Sequence, residues 1–258
     1  MKKPKVLILR TAGTNCERET ASAFEMVGGE PRLVHIRQLR AGHNRITDFD
    51  IFVIPGGFSY GDDVAAGRIL ANEIRRHLPE LKTFIRSGRP VLGVCNGFQA
   101  LVKAGLLPNG RTGEQIASFA ANDSNRFEAR WTRLRLNIQS HCLFLKDLPE
   151  MIELPVAHGE GKFVVKSPKV LEDLKRSNAI ALQYVNEEGN LAGYPYNPNG
   201  SIFNIAGICN SEGNCLGLMP HPERFVTRYH HPNWTRQTFC KEGIGLEMVR
   251  NAVKHVLS

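Results

Sequence analysis

Residues 91–94, Val-Leu-Gly-Val, form a short apolar run that passes directly into a cysteine held between two glycines. The stretch reads Arg89-Pro90-Val91-Leu92-Gly93-Val94-Cys95-Asn96-Gly97-Phe98-Gln99-Ala100-Leu101. A run without polar alternation suits a strand covered on both faces. Phe98, Leu101 and Val102 then fall on one side of a helix. Strand, Gly-x-nucleophile-x-Gly, helix is the layout of a nucleophile elbow. The missing Cβ atoms let the chain turn sharply there. In that layout Cys95 stands at the sheet edge and the Asn96 N–H points to where an oxyanion would form. The helix N-terminus would also favour a thiolate. Free cysteine is equally a common core residue. The motif alone therefore leaves two readings, a nucleophile or a buried structural cysteine.

The neighbouring segments repeat the pattern. Apolar runs at 5–9, 33–36 and 51–54 read as strands, and Thr14-Asn15-Cys16-Glu17 reads as a capping box that opens a helix. Gly28-Gly29 stops that helix. Ile69, Leu70, Ile74 and Leu78 share a helical face that continues to Phe84 and Ile85. Strands alternating with helices imply a parallel sheet, whose active sites lie at the carboxyl ends of strands. After residue 107 the pattern weakens, with a turn signal at 108–110. Partial alternation over 126–138 predicts an antiparallel strand. A short helix at 168–176, a strand at 179–185 and a strand pair around Glu212-Gly213-Asn214 follow. An amphipathic helix over 244–257 closes the chain. The expected fold is α/β, a flavodoxin-like, mostly parallel sheet with helices on both faces and a small antiparallel addition. No linker or repeat interrupts it, so residues 1–258 read as a single domain.

Composition removes several function classes. No apolar run is long enough to span a bilayer, and the start of the chain lacks a signal-peptide core. A cytoplasmic setting is expected. Six scattered cysteines form no Cys-x-x-Cys pair, which disfavours a zinc ribbon or thioredoxin-type site. No metal-binding pattern is present, and no metal is expected. The net charge of +8 suits nucleic acid, an acidic protein partner or an anionic substrate. The basic residues are dispersed and no nucleic-acid motif accompanies them, so nucleic-acid binding is not expected. No phosphate-binding loop is recognisable either. Any nucleotide chemistry has to sit on a partner.

A cysteine nucleophile needs a base and a group that orients the base. His221 follows the apolar run 216–219 after a single proline, so a strand end would bring it to the same sheet edge as Cys95. Glu223 stands two residues on and suits the orienting role, although His-Pro-Glu is also an ordinary helix start. Gly56-Gly57-Phe58 follows another strand end and offers backbone N–H donors for an oxyanion, or forms a plain glycine turn.

Gly56-Gly57-Phe58, Gly93-Val94-Cys95-Asn96-Gly97 and His221-Pro222-Glu223 together resemble the three landmarks of class I glutamine amidotransferases, in that family's chain order. The resemblance narrows to the glutaminase subunits of phosphoribosylformylglycinamidine synthases. It is carried by Pro55-Gly-Gly-Phe-Ser-Tyr-Gly-Asp62, Cys95-Asn-Gly-Phe-Gln99, Ala104-Gly-Leu-Leu-Pro108, Asn125-Arg-Phe127, Ala157-His-Gly-Glu-Gly161, Asn197-Pro-Asn-Gly-Ser201, Ile205-Ala-Gly-Ile-Cys-Asn210 and Met219-Pro-His-Pro-Glu-Arg224. Departures are Asp63-Val64-Ala65, where bulkier residues are usual, and a long segment over 225–243. The resemblance implies a Cys95-His221-Glu223 triad that hydrolyses glutamine to glutamate and ammonia. It implies an oxyanion hole from Gly57 or Phe58 with Asn96, and glutamine binding by Gly56 and Gln99. No cofactor is implied in this chain. ATP and magnesium are implied on a PurL-like synthetase subunit, which receives the ammonia and converts formylglycinamide ribonucleotide to formylglycinamidine ribonucleotide in purine biosynthesis. A small PurS-like bridging subunit completes the implied complex. The alternatives are a glutaminase of the same fold serving another synthetase, or a non-catalytic partner subunit.

Overall fold

The structure is a computed structural model and describes residues 3–108, 113–236 and 242–258. The first half alternates as expected: β1 (Lys5–Arg10), α1 (Glu17–Met26), β2 (Glu30–His35), α2 (Ile36–Arg40), β3 (Ile51–Ile54), α3 (Arg68–Arg75), α4 (Leu78–Arg86), β4 (Val91–Val94) and α5 (Asn96–Lys103). The second half is strand-rich: β5 (Ala117–Ala120), β6 (Glu128–Leu136), β7 (Met151–His158), β8 (Lys162–Val165), α6 (Pro168–Arg176), β9 (Ile180–Tyr184), β10 (Ile205–Cys209), β11 (Cys215–Leu218) and α7 (Ile244–Leu257).

Among the described residues, nine strands form one sheet in the order β2-β1-β3-β4-β11-β10-β9-β6-β7. The pairings from β2 to β11 are parallel. Those from β11 to β7 are antiparallel, so the antiparallel addition is continuous with the parallel part. Strands β5 and β8 make a separate antiparallel pair. Phe98 on α5 joins that pair to the main body. Its ring meets Phe119 edge-on at 4.8 Å and stacks on Phe163 at 6.1 Å. The other side of Phe98 lies against Gly217 of β11, where an added Cβ would come within 2.0 Å of the ring. Burying an aromatic side chain this completely is worth about 2–3 kcal/mol.

Three boundaries differ from the sequence expectation. Thr14 does not cap α1. It forms an isolated bridge with Gly57, and Cys16 occupies the N-cap with no side-chain capping bond. A tertiary contact has overridden a local capping preference. The helix expected to run from Ile69 to Ile85 is two helices, because Pro79 sits in the first turn of α4 and cannot continue a helix. Strands β5 and β8 arise where no clear pattern was legible. The expected turn at 108–110 falls partly outside the described residues, as does Cys240 in the long segment over 225–243.

Register determines where the site lies. Ile54 pairs with Gly93, and Val94 pairs with Leu218, so β3, β4 and β11 end at one edge. The elbow fits there because Gly97 lies against β3. A Cβ on Gly97 would sit 1.9 Å from the Ile54 carbonyl oxygen. Gly193 has open space around its Cβ position. Gly97→Ala is therefore expected to lower stability by about 3 kcal/mol or more, while Gly193→Ala changes it by less than about 0.5 kcal/mol. Urea unfolding midpoints of the two variants check this.

Candidate active site

The end of β4 delivers Cys95 in an unusual backbone conformation, φ 50° and ψ −106°. Positive φ is strained for a residue with a side chain, and such strain collects at functional sites. The Cys95 N–H donates to the Leu218 carbonyl at 2.8 Å, and its carbonyl accepts from the Gln99 N–H at 3.0 Å. The turn is thus held by the neighbouring strand on one side and by α5 on the other. Cys95 is buried, and its thiol donates to the Ala157 carbonyl at 3.7 Å. Burial raises the thiol pKa, and nearby Cys16 and Glu223 raise it further. The Asn96 N–H and the Arg224 guanidinium act in the opposite direction. Cys95 therefore rests as a thiol at neutral pH.

His221 lies three residues beyond β11. Its Nδ1 bonds Glu223 Oε1 at 2.6 Å, and both side chains are almost fully buried. With Nδ1–H given to the carboxylate, the proton-free nitrogen is Nε2. That Nε2 is buried and has no hydrogen-bond partner among the described residues. A lone pair buried without a donor is costly, and this one is available to accept a proton. Gly56 makes room for the ring, since a Cβ there would meet His221 Cε1 at 2.7 Å. The His221 N–H is anchored to the Pro155 carbonyl at 2.8 Å. His158 is the next histidine inward. Burial and the proximity of His221 push its pKa down to about 4, so it stays neutral beside the base.

The expected oxyanion donors are not equivalent. The Phe58 N–H is committed to the Gly13 carbonyl at 2.8 Å. Gly57 N–H has no acceptor among the described residues, and Asn96 N–H faces the Cys95 sulfur. The Phe58 ring is exposed and stacks on Phe127 with centroids 6.2 Å apart. Gln99 is buried. Its Oε1 accepts from Asn96 Nδ2 at 3.1 Å, and its Nε2 donates to the Glu160 carbonyl at 2.5 Å.

Cys16 belongs to this neighbourhood although the sequence marked it only as part of a helix start. Its Sγ lies 4.0 Å from His221 Nδ1 and accepts from Arg224 Nη2 at 3.2 Å. Its own thiol proton goes to Asn15 Oδ1 at 3.2 Å. Burial and Glu223 push its pKa up to about 12. The available signal was position, since Cys16 follows the carboxyl end of β1, adjacent to β3. Donor atoms of Cys16, His221 and Glu223 lie within 4.8 Å of one another, the spacing of a metal cluster. The close His221–Glu223 bond and the Arg224 cation on Cys16 suit a proton network better than a cation site. A groove of about 790 Å³, lined by Arg135, Met151, Glu188 and Ile244 among others, includes none of these residues.

Chemically, the edge offers a thiol, an oriented imidazole with a free nitrogen, and two N–H donors just beyond separate strand ends. That set suits acyl transfer from an amide or ester. Comparison with known proteins agrees. Residues 3–256 match the CobB/CobQ-like glutamine amidotransferase domain. The phosphoribosylformylglycinamidine synthase subunit PurQ of Dehalococcoides mccartyi is 47% identical over 256 residues, covering 98% of each chain. The PurQ of Methanococcus maripaludis is 45% identical over 236 residues, covering 90% of this chain and 86% of that one. Among solved structures, a chain of PurLQS from Thermotoga maritima superposes with a TM-score of 0.74 at 28% identity, with both chains fully covered. The chain belongs to the CobB/CobQ-like glutamine amidotransferase family.

Proposed function

We propose that this chain is the glutaminase subunit of a phosphoribosylformylglycinamidine synthase. The observation that carries the reading is Cys95 at positive φ on the strand edge it shares with the buried His221–Glu223 pair. Near-complete coverage by PurQ relatives supports the assignment of substrate and complex.

Glutamine enters at the edge formed by Gly56, Gly57 and Cys95. The Cys95 thiol gives its proton to His221 Nε2, and the sulfur attacks the side-chain amide carbon. The carbonyl oxygen becomes an oxyanion held by the N–H groups of Gly57 and Asn96. Phe58 joins them only if it releases Gly13. When the carbonyl re-forms, the C–N bond breaks and the imidazolium gives its proton to the leaving nitrogen, which departs as ammonia. Water then loses a proton to His221 and attacks the thioester. The C–S bond breaks, the proton returns to sulfur, and glutamate leaves. Glu223 holds the imidazole tautomer and stabilises the cation formed midway. Gln99 supports the pocket through Asn96 and Glu160.

Ammonia passes to a PurL-like synthetase with ATP and magnesium, in a complex with a PurS-like subunit. The Thermotoga neighbour is named for an assembly of that composition. No helix among the described residues is long and apolar enough to cross a membrane. The five described cysteines are free, which suits a reducing cytoplasm.

In the assembled synthase, Cys95→Ser is expected to abolish glutamine-dependent product formation while ammonia-dependent formation survives. Glutamine-dependent turnover by that variant would contradict the mechanism. The raised thiol pKa makes a second prediction. A group whose pKa lies above its usual value gains its thiolate only as the pH climbs past that value. Alkylation of Cys95 by iodoacetamide, corrected with the Cys95→Ser background, should therefore still be accelerating from pH 7 to pH 9.5. A plateau reached below pH 7 would mean that a thiolate–imidazolium pair exists before substrate arrives.

A further inference from the structure

We propose that Ser59 and Asp62 are positioning residues that set the width of the oxyanion hole by clamping the Asn96 side chain. The inference rests on the glutaminase reading and deepens it.

The two N–H donors sit beyond different strand ends, Gly57 after β3 and Asn96 after β4. Nothing in the parallel pairing itself fixes their separation, because both lie beyond the last paired residues. The Asn96 side chain spans that gap. Its Oδ1 accepts from the Ser59 N–H at 3.3 Å and from Ser59 Oγ in a closer contact. Its Nδ2 donates to Asp62 Oδ1 at 3.0 Å and to Gln99 Oε1 at 3.1 Å. An amide offers two acceptor sites and two donors, so every hydrogen-bonding position of the Asn96 side chain is used within the protein. Ser59, Asn96 and Gln99 are all buried. This side chain is therefore a brace and has no group left to contact glutamine.

The loop the brace holds needs holding. Tyr60 and Asp62 both have positive φ, 57° and 53°. Such conformations persist in residues with side chains only where surrounding contacts determine them. Asp62 Oδ1 supplies one such contact, accepting the Gly67 N–H at 3.1 Å as well as Asn96. The adjacent Ala66 N–H donates to Glu160 Oε2 at 3.1 Å, and the Glu160 carbonyl accepts from Gln99 at 2.5 Å. The bonds close a ring from Asn96 through Asp62, the 66–67 turn, Glu160 and Gln99 back to Asn96. The same 157–160 segment carries the Ala157 carbonyl that holds the Cys95 thiol. The ring thus joins the oxyanion loop, the elbow and the segment over the nucleophile. A small error in donor placement weakens the transition state far more than substrate binding.

The test uses the assembled synthase. Ser59→Ala and Asp62→Ala are expected to lower glutamine-dependent kcat roughly 10- to 100-fold with KM changed less than about twofold. Asp62→Asn keeps an acceptor oxygen and should recover most of the loss. Glutamate γ-semialdehyde, which Cys95 captures as a tetrahedral adduct, should lose affinity by the same factor as kcat. Ammonia-dependent turnover, read in parallel, reports that each variant has folded and assembled. An unchanged kcat overturns the proposal. So does a reduced kcat with unaltered aldehyde affinity, and so does an Asp62→Asn variant as poor as Asp62→Ala. A wild-type complex that releases no glutamate from glutamine would overturn the glutaminase reading, and the clamp with it.

Discussion

The parallel pairing of β4 between β3 and β11 is the constraint on which the site depends. Each of those strands is short, fully buried and ends at the same edge. None of the three functional segments is near the others in sequence. Gly56–Phe58, Cys95 and His221 are brought to one sheet edge because Ile54, Val94 and Leu218 end there in register. The approach is tight enough that β3 touches the elbow backbone at Gly97 and the His221 ring fills the space left by Gly56. Backbone without side chains is needed at those two points because a Cβ would overlap the Ile54 carbonyl oxygen at one and the His221 ring at the other.

The electrostatics of the site follow from its burial. Low polarity disfavours isolated charge, so Cys95 and Cys16 stay protonated and His158 stays neutral. Arg224 and Glu223 provide opposite charges on one short turn after β11. His221 lies beside that turn with Nδ1 satisfied and Nε2 open. Such a site is quiet until a substrate carbonyl gives the developing charge somewhere to go. In the proposed mechanism the cost of an unpaired buried nitrogen is offset when the proton of Cys95 arrives there.

Much of this was legible in the chain because glycines and prolines mark sharp turns locally. The elbow around Cys95, the strand-end His221-Pro222-Glu223 and the parallel half of the sheet all rest on such local signals. What was not legible depends on contacts distant in sequence. Thr14 reads as a helix cap, but its bridge to Gly57 places it beside the oxyanion loop. Phe58 reads as an oxyanion donor, but Gly13 takes its N–H. Cys16 comes up against the His221–Glu223 pair across 205 residues. Gln99 and Asn96 read as site residues, and their side chains turn out to hold each other. Strands β5 and β8 have weak patterns of their own and exist because Phe119 and Phe163 cover Phe98.

Two buried thiols, Cys95 and Cys16, lie in this site, and the proposed mechanism puts only Cys95 on carbon. Cys95 stands at the elbow facing the Asn96 N–H, whereas Cys16 is held between Asn15 and Arg224. The direct measurement is acid quenching of the protein during turnover with labelled glutamine, followed by peptide mapping of the covalent label. The mechanism requires the glutamyl group on the peptide that contains Cys95. Label on the Cys16 peptide, or steady glutamate release with no covalent label under conditions that preserve thioesters, would contradict it.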